Sequence, residues 1–166
     1  MNNNDILIRL RYALDIKNAD MIEIFKLGGV SVTKEDVIKL LKKTNDDYED
    51  ADLDEDYIYC DNFMLESFLN GLIILKRGKQ EHKPGQPERP VMSIKNHASV
   101  NNVLLKKIAL SLTSDDVIDI LEDAGVMVSK GELTAIFRKE GHKHYVPCGD
   151  RYARNFLKGL ALRYRN

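Results

Sequence analysis

Apolar residues at positions 65, 68, 69 and 72 recur at 153, 156, 157 and 160, the three-and-four spacing of a buried stripe on a helix. The stripes lie in matching blocks, Cys60–Leu72 and Cys148–Leu160, offset by 88 positions without a gap. Cys60 falls on Cys148, Phe68 on Phe156, Gly71 on Gly159 and Leu72 on Leu160. A glycine inside a helix costs about 0.5–1 kcal/mol relative to alanine. The same cost at the same place twice predicts that another backbone passes close to Gly71 and Gly159.

Upstream the match continues at an offset of 96. Ala13-Leu14 pairs with Ala109-Leu110, Asp20–Phe25 with Asp116–Leu121, and Gly29-Val30 with Gly125-Val126. Val32-Thr33-Lys34 then pairs with Val128-Ser129-Lys130, and Leu40–Lys43 with Ile136–Lys139. The chain therefore reads as all-α, two tandem four-helix repeats at 1–78 and 99–166, joined by a Pro-rich linker at 79–98. The repeats are either related by internal pseudo-symmetry or stacked side by side, with Phe68, Leu72, Phe156 and Leu160 in a shared core.

Capping residues set the predicted boundaries. Asn4, Asn18 and Thr33 open the first three helices of the first copy; Asn101 or Asn102, Ser114 and Ser129 open those of the second. Ser129 with Glu132 matches a capping box, and Thr33 has Asp36 in the glutamate's place. The first helix is expected to reach about Asp15 and the third Lys43. The fourth helices begin near Asn62 and Gly149-Asp150. The linker holds three prolines, which favour an extended path, and its Met92 and Ile94 are candidates to dock on the surface. No segment alternates with period two, so no sheet is expected.

The halves carry Asn4-Asp5-Ile6-Leu7, Phe68-Leu69-Asn70-Gly71-Leu72-Ile73 and Lys76-Arg77-Gly78 in the first copy. The second carries Gly141-His142-Lys143, Cys148-Gly149-Asp150 and Arg154–Leu160. On these residues the chain resembles the YehS-like family of uncharacterised bacterial proteins, a domain of unknown function, over nearly its whole length. The resemblance implies a small helical cytoplasmic protein and brings no catalytic residues or cofactor to carry over. Cys60, Phe68, Gly71, Leu72, Cys148, Phe156, Gly159 and Leu160 form its structural signature.

Composition narrows the function classes. With 43% hydrophobic residues, 166 residues can bury a sizeable core, and a net charge of −1 gives no overall pull towards nucleic acid or membrane. No apolar run is long enough to span a bilayer, and Met1-Asn-Asn-Asn-Asp5 opens polar, so the expected address is the cytoplasm with both cysteines reduced. Charge is unevenly spread: ten Lys and Arg face sixteen acids over 1–78, and eleven face eight over 101–166. That asymmetry permits self-association as well as an unknown protein partner.

Four constellations are candidates for chemistry. Asp50, Asp52 and Asp54 with Asp61 take calcium-loop positions, but Glu55 replaces the glycine of the sharp turn and Asp61 is short for a bidentate ligand. The family resemblance lends that loop no support. His142, His144, Cys148 and Asp150 offer mixed donors to zinc, at a spacing that matches no standard finger. The same residues suggest cysteine catalysis, yet the matched Cys60 has no histidine nearby, which favours a shared structural role. Lastly, residues 114–139 read as a helix, a glycine turn and a capped helix. Lys130, Arg138, Lys139, Lys143, Arg151, Arg154, Arg163 and Arg165 would form the nucleic-acid footprint. A non-enzymatic interaction module is the leading expectation and a nucleic-acid binder the alternative.

Overall fold

The computed structural model describes residues 1–42, 56–77 and 89–165. Among these the order is α1 (Asn3–Ala13), α2 (Asn18–Leu27), α3 (Lys34–Leu40) and α4 (Asn62–Arg77). A 3-10 turn at His97–Ser99 leads into α5 (Val100–Ala109), α6 (Ser114–Asp123), α7 (Lys130–Phe137) and α8 (Asp150–Tyr164). The fold is all-helical, with α1–α4 and α5–α8 as two four-helix repeats. Asp50, Asp52 and Asp54 lie outside the described residues.

Each repeat packs its fourth helix against its second, and that crossing is where the glycines sit. A Cβ on Gly71 would lie 2.8 Å from the Ile24 carbonyl carbon and nearer still to its oxygen. On Gly159 it would lie 2.9 Å from the Ile120 carbonyl carbon, the equivalent residue. Neither site can accept a side chain without moving a backbone apart. Next to the first crossing, Phe25 and Phe68 meet at a ring-centroid distance of 5.0 Å.

Between repeats the arrangement is reciprocal. Helix α1 packs on α8, and α5, its counterpart, packs on α4, so the copies embrace about a pseudo-two-fold axis. Their apolar faces merge into one core that includes Phe68, Leu72, Phe156 and Leu160. Polar links cross the α1–α8 joint: the N-terminal ammonium reaches Asp150 Oδ2 at 3.0 Å, and Arg165 Nη1 donates to the Tyr12 carbonyl at 2.8 Å.

Several local boundaries differ from expectation. Asn2, not Asn4, caps α1, in a reciprocal box with Asp5. Lys17 stands at the N-cap of α2 with no side-chain bond, and Asn18 is its first helical residue. Thr113 replaces Ser114 as the cap of α6, paired with Asp116, and Ser99 replaces Asn101 or Asn102 at the start of α5. Helix α1 stops at Ala13 and α3 at Leu40, short of Asp15 and Lys43. After α1 the chain turns through Asp15 in the left-handed region, φ 51°. Thr33 and Ser129 do cap α3 and α7.

The register of the first helices is also different from the sequence match. Asn4 and Asn102 make the same three bonds in their respective repeats, which sets an offset of 98 for α1 on α5. Ala13 therefore corresponds to Ser111, not Ala109. Burial along the helices agrees: Leu10 and Ile108 are both buried, and Tyr12 and Leu110 are both exposed.

Candidate functional site

The residues with the most reactive side chains are built into the frame. Cys60 donates its backbone N–H to Asn4 Oδ1 at 2.9 Å, while Asn4 Nδ2 donates to the carbonyls of Leu40 and Ile58. In the second repeat Cys148 N–H donates to Asn102 Oδ1 at 2.7 Å, and Asn102 Nδ2 to the carbonyls of Ile136 and Val146. One amide thus ties the end of the third helix to the segment entering the fourth, satisfying main-chain groups that burial would otherwise leave unpaired. Sequence reasoning missed these clamps by reading both asparagines as caps. The available signal was position: Asn4 and Asn102 fall on the buried stripe with Leu7 and Leu105, where a polar residue needs an internal partner.

Both thiols are buried. Desolvation, helped by the Asp150 charge, pushes the Cys148 thiol up to about 12, and the same causes, with Asp61, push Cys60 higher still. Burial of this kind favours the protonated thiol, the less nucleophilic form, at neutral pH. His142 and His144 lie close together, with the His144 N–H donating to His142 Nδ1 at 3.0 Å, but both are exposed while Cys148 is buried. Among the described residues no three His, Cys, Asp or Glu side chains are gathered as metal ligands. The zinc set His142, His144, Cys148 and Asp150 is therefore not assembled. Asp150 is engaged elsewhere, held below the usual carboxylate range by Asn101 and the N-terminal ammonium. Asp61 is engaged too: its carboxylate accepts from the Met64 N–H at 2.7 Å at the start of α4.

The basic residues of the expected nucleic-acid footprint are engaged to different degrees. Lys130 pairs with Asp115, Arg163 with Asp116, and Arg165 with Asp15 while stacking 4.1 Å from the Tyr12 ring centroid. Arg138 Nη1 donates to the His144 carbonyl. Arg138 and Lys139 line a 400 Å³ cavity with Lys95 and Lys106, and Lys143 is exposed. Arg151 and Arg154 project from α8, exposed, and their side chains make no hydrogen bond or ion pair among the described residues.

The most developed polar site lies where α4 meets α5. Glu66, Asn70 and Lys107 are all buried there, and Lys107 Nζ sits 3.1 Å from Glu66 Oε2. A stretch without helix or strand, residues 90–95, crosses this joint and is held through its main chain. The Ser93 N–H donates to Glu66 Oε2 and the Ile94 N–H to Oε1 at 2.8 Å. Asn70 Nδ2 donates to the Pro90 carbonyl at 3.0 Å, and Lys107 Nζ to the Val91 carbonyl at 3.0 Å. Lys107 also donates to Asn70 Oδ1, so all its protons are directed and no lone pair is left for chemistry. Burial lowers the Lys107 pKa and Glu66 opposes that shift. Ile94 packs on the core, and Met92 Sδ accepts from Asn70 at 3.3 Å. The spacing of apolar positions gave no sign of this grip, because four of its bonds are made to main-chain atoms.

With the geometry in place, comparison with known proteins adds a family. A family model described as protein of unknown function (DUF1456) matches residues 3–78 and 101–166, one match on each repeat. The chain belongs to the DUF1456 family. A relative in Escherichia coli (strain K12), described as uncharacterized protein YehS, is 41% identical over 166 residues, spanning 98% of this chain and 96% of the relative. No solved structure matches the chain. Within the DUF1456 repeat, the glycine crossing and the asparagine clamp are the features that this chain builds twice. Among its described residues no helix is long and apolar enough to cross a membrane.

Proposed function

We propose that this protein is a non-enzymatic binding module that holds non-helical protein segments in the grooves between its repeats, acting in the cytoplasm. One observation carries the reading: residues 90–94 already lie in such a groove, held by Glu66, Asn70 and Lys107 through main-chain hydrogen bonds. Recognition through main-chain atoms supplies affinity in peptide binding, with side-chain pockets adding selectivity. The buried thiols favour the non-enzymatic side of the proposal, and two unpaired cysteines suit a reducing compartment.

Selection of a displayed random-peptide library on the immobilised protein tests this reading. Enriched peptides, resynthesised, should bind in solution with micromolar affinity. If none binds, and random duplex or single-stranded nucleic acid binds at low salt instead, the module reading is wrong and the nucleic-acid alternative replaces it.

A further inference from the structure

The groove that holds residues 90–94 has a counterpart on the other side of the pseudo-two-fold axis. It lies where α1 meets α8. Under the offsets of 88 for the fourth helices and 98 for the first, Glu66 corresponds to Arg154, Asn70 to Lys158 and Lys107 to Arg9. The three positions that read the main chain of the docked segment are thus all cations in the counterpart. Their burial reverses as well. Glu66, Asn70 and Lys107 are 1%, 1% and 7% exposed, whereas Arg9, Arg154 and Lys158 are all exposed. None of the three cations makes a hydrogen bond or ion pair among the described residues, and nothing there covers them.

The acids nearest in register are partly engaged elsewhere, although Asp150 still feels the charge of Arg154. Asp5 accepts from the Asn2 N–H within the α1 capping box, and Asp150 is held by Asn101 and the N-terminal ammonium. Arg151 adds a further exposed cation one turn before Arg154. Along α1, one turn beyond Arg9, Tyr12 is exposed and lines a 590 Å³ cavity with Arg11, Lys17, Lys34 and Arg165. The Arg11 Nε in that region is buried without a partner.

We infer that the α1–α8 groove binds a non-helical acidic peptide, from a partner protein, in the place that corresponds to residues 90–94. The inference rests on the binding-module reading and names its second site and its ligand. The filled groove offers one acceptor, Glu66, for two N–H groups, with Asn70 and Lys107 donating to carbonyls. The open groove offers donors only, so it suits carbonyls and side-chain carboxylates. Like charges clustered at one joint repel each other, and an anionic occupant removes that repulsion as it binds. Nucleic acid is also anionic, but the pseudo-symmetric joint already holds a polypeptide segment through its main chain.

Fluorescence anisotropy with labelled decapeptides alternating Glu with Val, Gln with Val, and Lys with Val tests this, using the full chain. The acidic peptide should bind, with affinity falling at least about tenfold from low to high salt. The Gln and Lys peptides should bind at least about tenfold more weakly, as charge complementarity requires. Arg154→Glu with Lys158→Glu should reduce acidic-peptide affinity at least about tenfold, whereas Arg138→Glu with Lys139→Glu, on a separate surface, should not. Circular dichroism checks that both doubles fold. If the acidic peptide binds equally well to the Arg154/Lys158 double, the site assignment is wrong while the module reading stands. If only neutral or library-selected peptides bind, the acidic preference is wrong and the module again stands. Tight oligonucleotide binding abolished by the same double would replace the peptide with nucleic acid. Failure of every peptide, library-selected ones included, overturns both readings together.

Discussion

Helices α4 and α8 occupy equivalent places in the two repeats, yet they are covered very differently. From Leu65 to Leu72 every residue of α4 is buried, whereas the matching span of α8, 153–160, leaves Arg154 and Lys158 exposed. The inner faces agree: Leu65, Phe68, Leu69 and Leu72 correspond to Ala153, Phe156, Leu157 and Leu160, all buried. The difference lies on the outer faces, where residues 90–94 lie over Glu66 and Asn70. Burial of a polar residue here follows the cover laid over the helix. The duplicated frame fixes the apolar face alone, and charge at the outer positions has diverged accordingly.

The largest expected effect comes from breaking the covered joint on one side only. Lys107→Met leaves the Glu66 carboxylate buried without its cation and should cost about 3–5 kcal/mol in urea unfolding. The counterpart Arg9→Met, on the open joint, should change stability by less than about 0.5 kcal/mol. Equal costs would mean that the two joints are not the contrasting pair described.

Next in size are the clamps, which the comparison treats as equivalent. Asn4→Ala and Asn102→Ala each remove three hydrogen bonds to main-chain groups. At about 0.5–1.5 kcal/mol per bond, each should cost about 2–4 kcal/mol, and by similar amounts in the two repeats. The glycine crossings follow. Gly71→Ala and Gly159→Ala should each destabilise by about 1–3 kcal/mol through overpacking. Gly131, in the first turn of α7 with only Ser129 Oγ in ordinary contact at 3.9 Å, should gain up to about 0.5–1 kcal/mol on substitution by alanine. A stabilised Gly159→Ala would remove the close crossing from the account.

The smallest effect concerns the thiols. Each folded-state value is raised, so its contribution to stability is complete below the ordinary thiol range and is lost as pH rises towards the folded value, about 12 for Cys148. Between about pH 8.5 and 11, above the ordinary thiol value, wild-type stability should therefore fall more than that of Cys148→Ala. At neutral pH both cysteines should alkylate only after unfolding, with no difference between Cys60 and Cys148.

Much of the frame was legible in the residues. The two stripes, their glycines and the paired cysteines showed a duplicated helical unit, because repeated identity at fixed spacing is a property of sequence alone. The first-helix register was misread because Ala13-Leu14 happens to spell the same pair as Ala109-Leu110, while the true match is carried by a buried amide. Thr113 was overlooked as a cap because Ser114 beside it is an equally good capping residue by type. Least legible was the grip on residues 90–94. Glu66 reads as an ordinary polar position on α4, and its burial depends on Lys107 and on main-chain groups distant in sequence. The ion pairs made by the basic residues were equally hidden, because partners such as Asp115 and Asp116 are set by tertiary packing.

The claim on which everything else depends is that Glu66 holds residues 93 and 94 through their amides. Native-state hydrogen exchange followed by NMR measures those two amides directly. The account predicts that the Ser93 and Ile94 N–H groups exchange at least about 100-fold more slowly than in a free peptide, and that Glu66→Gln largely removes this protection at both. Exchange of both amides at the free-peptide rate in the wild-type protein would contradict it.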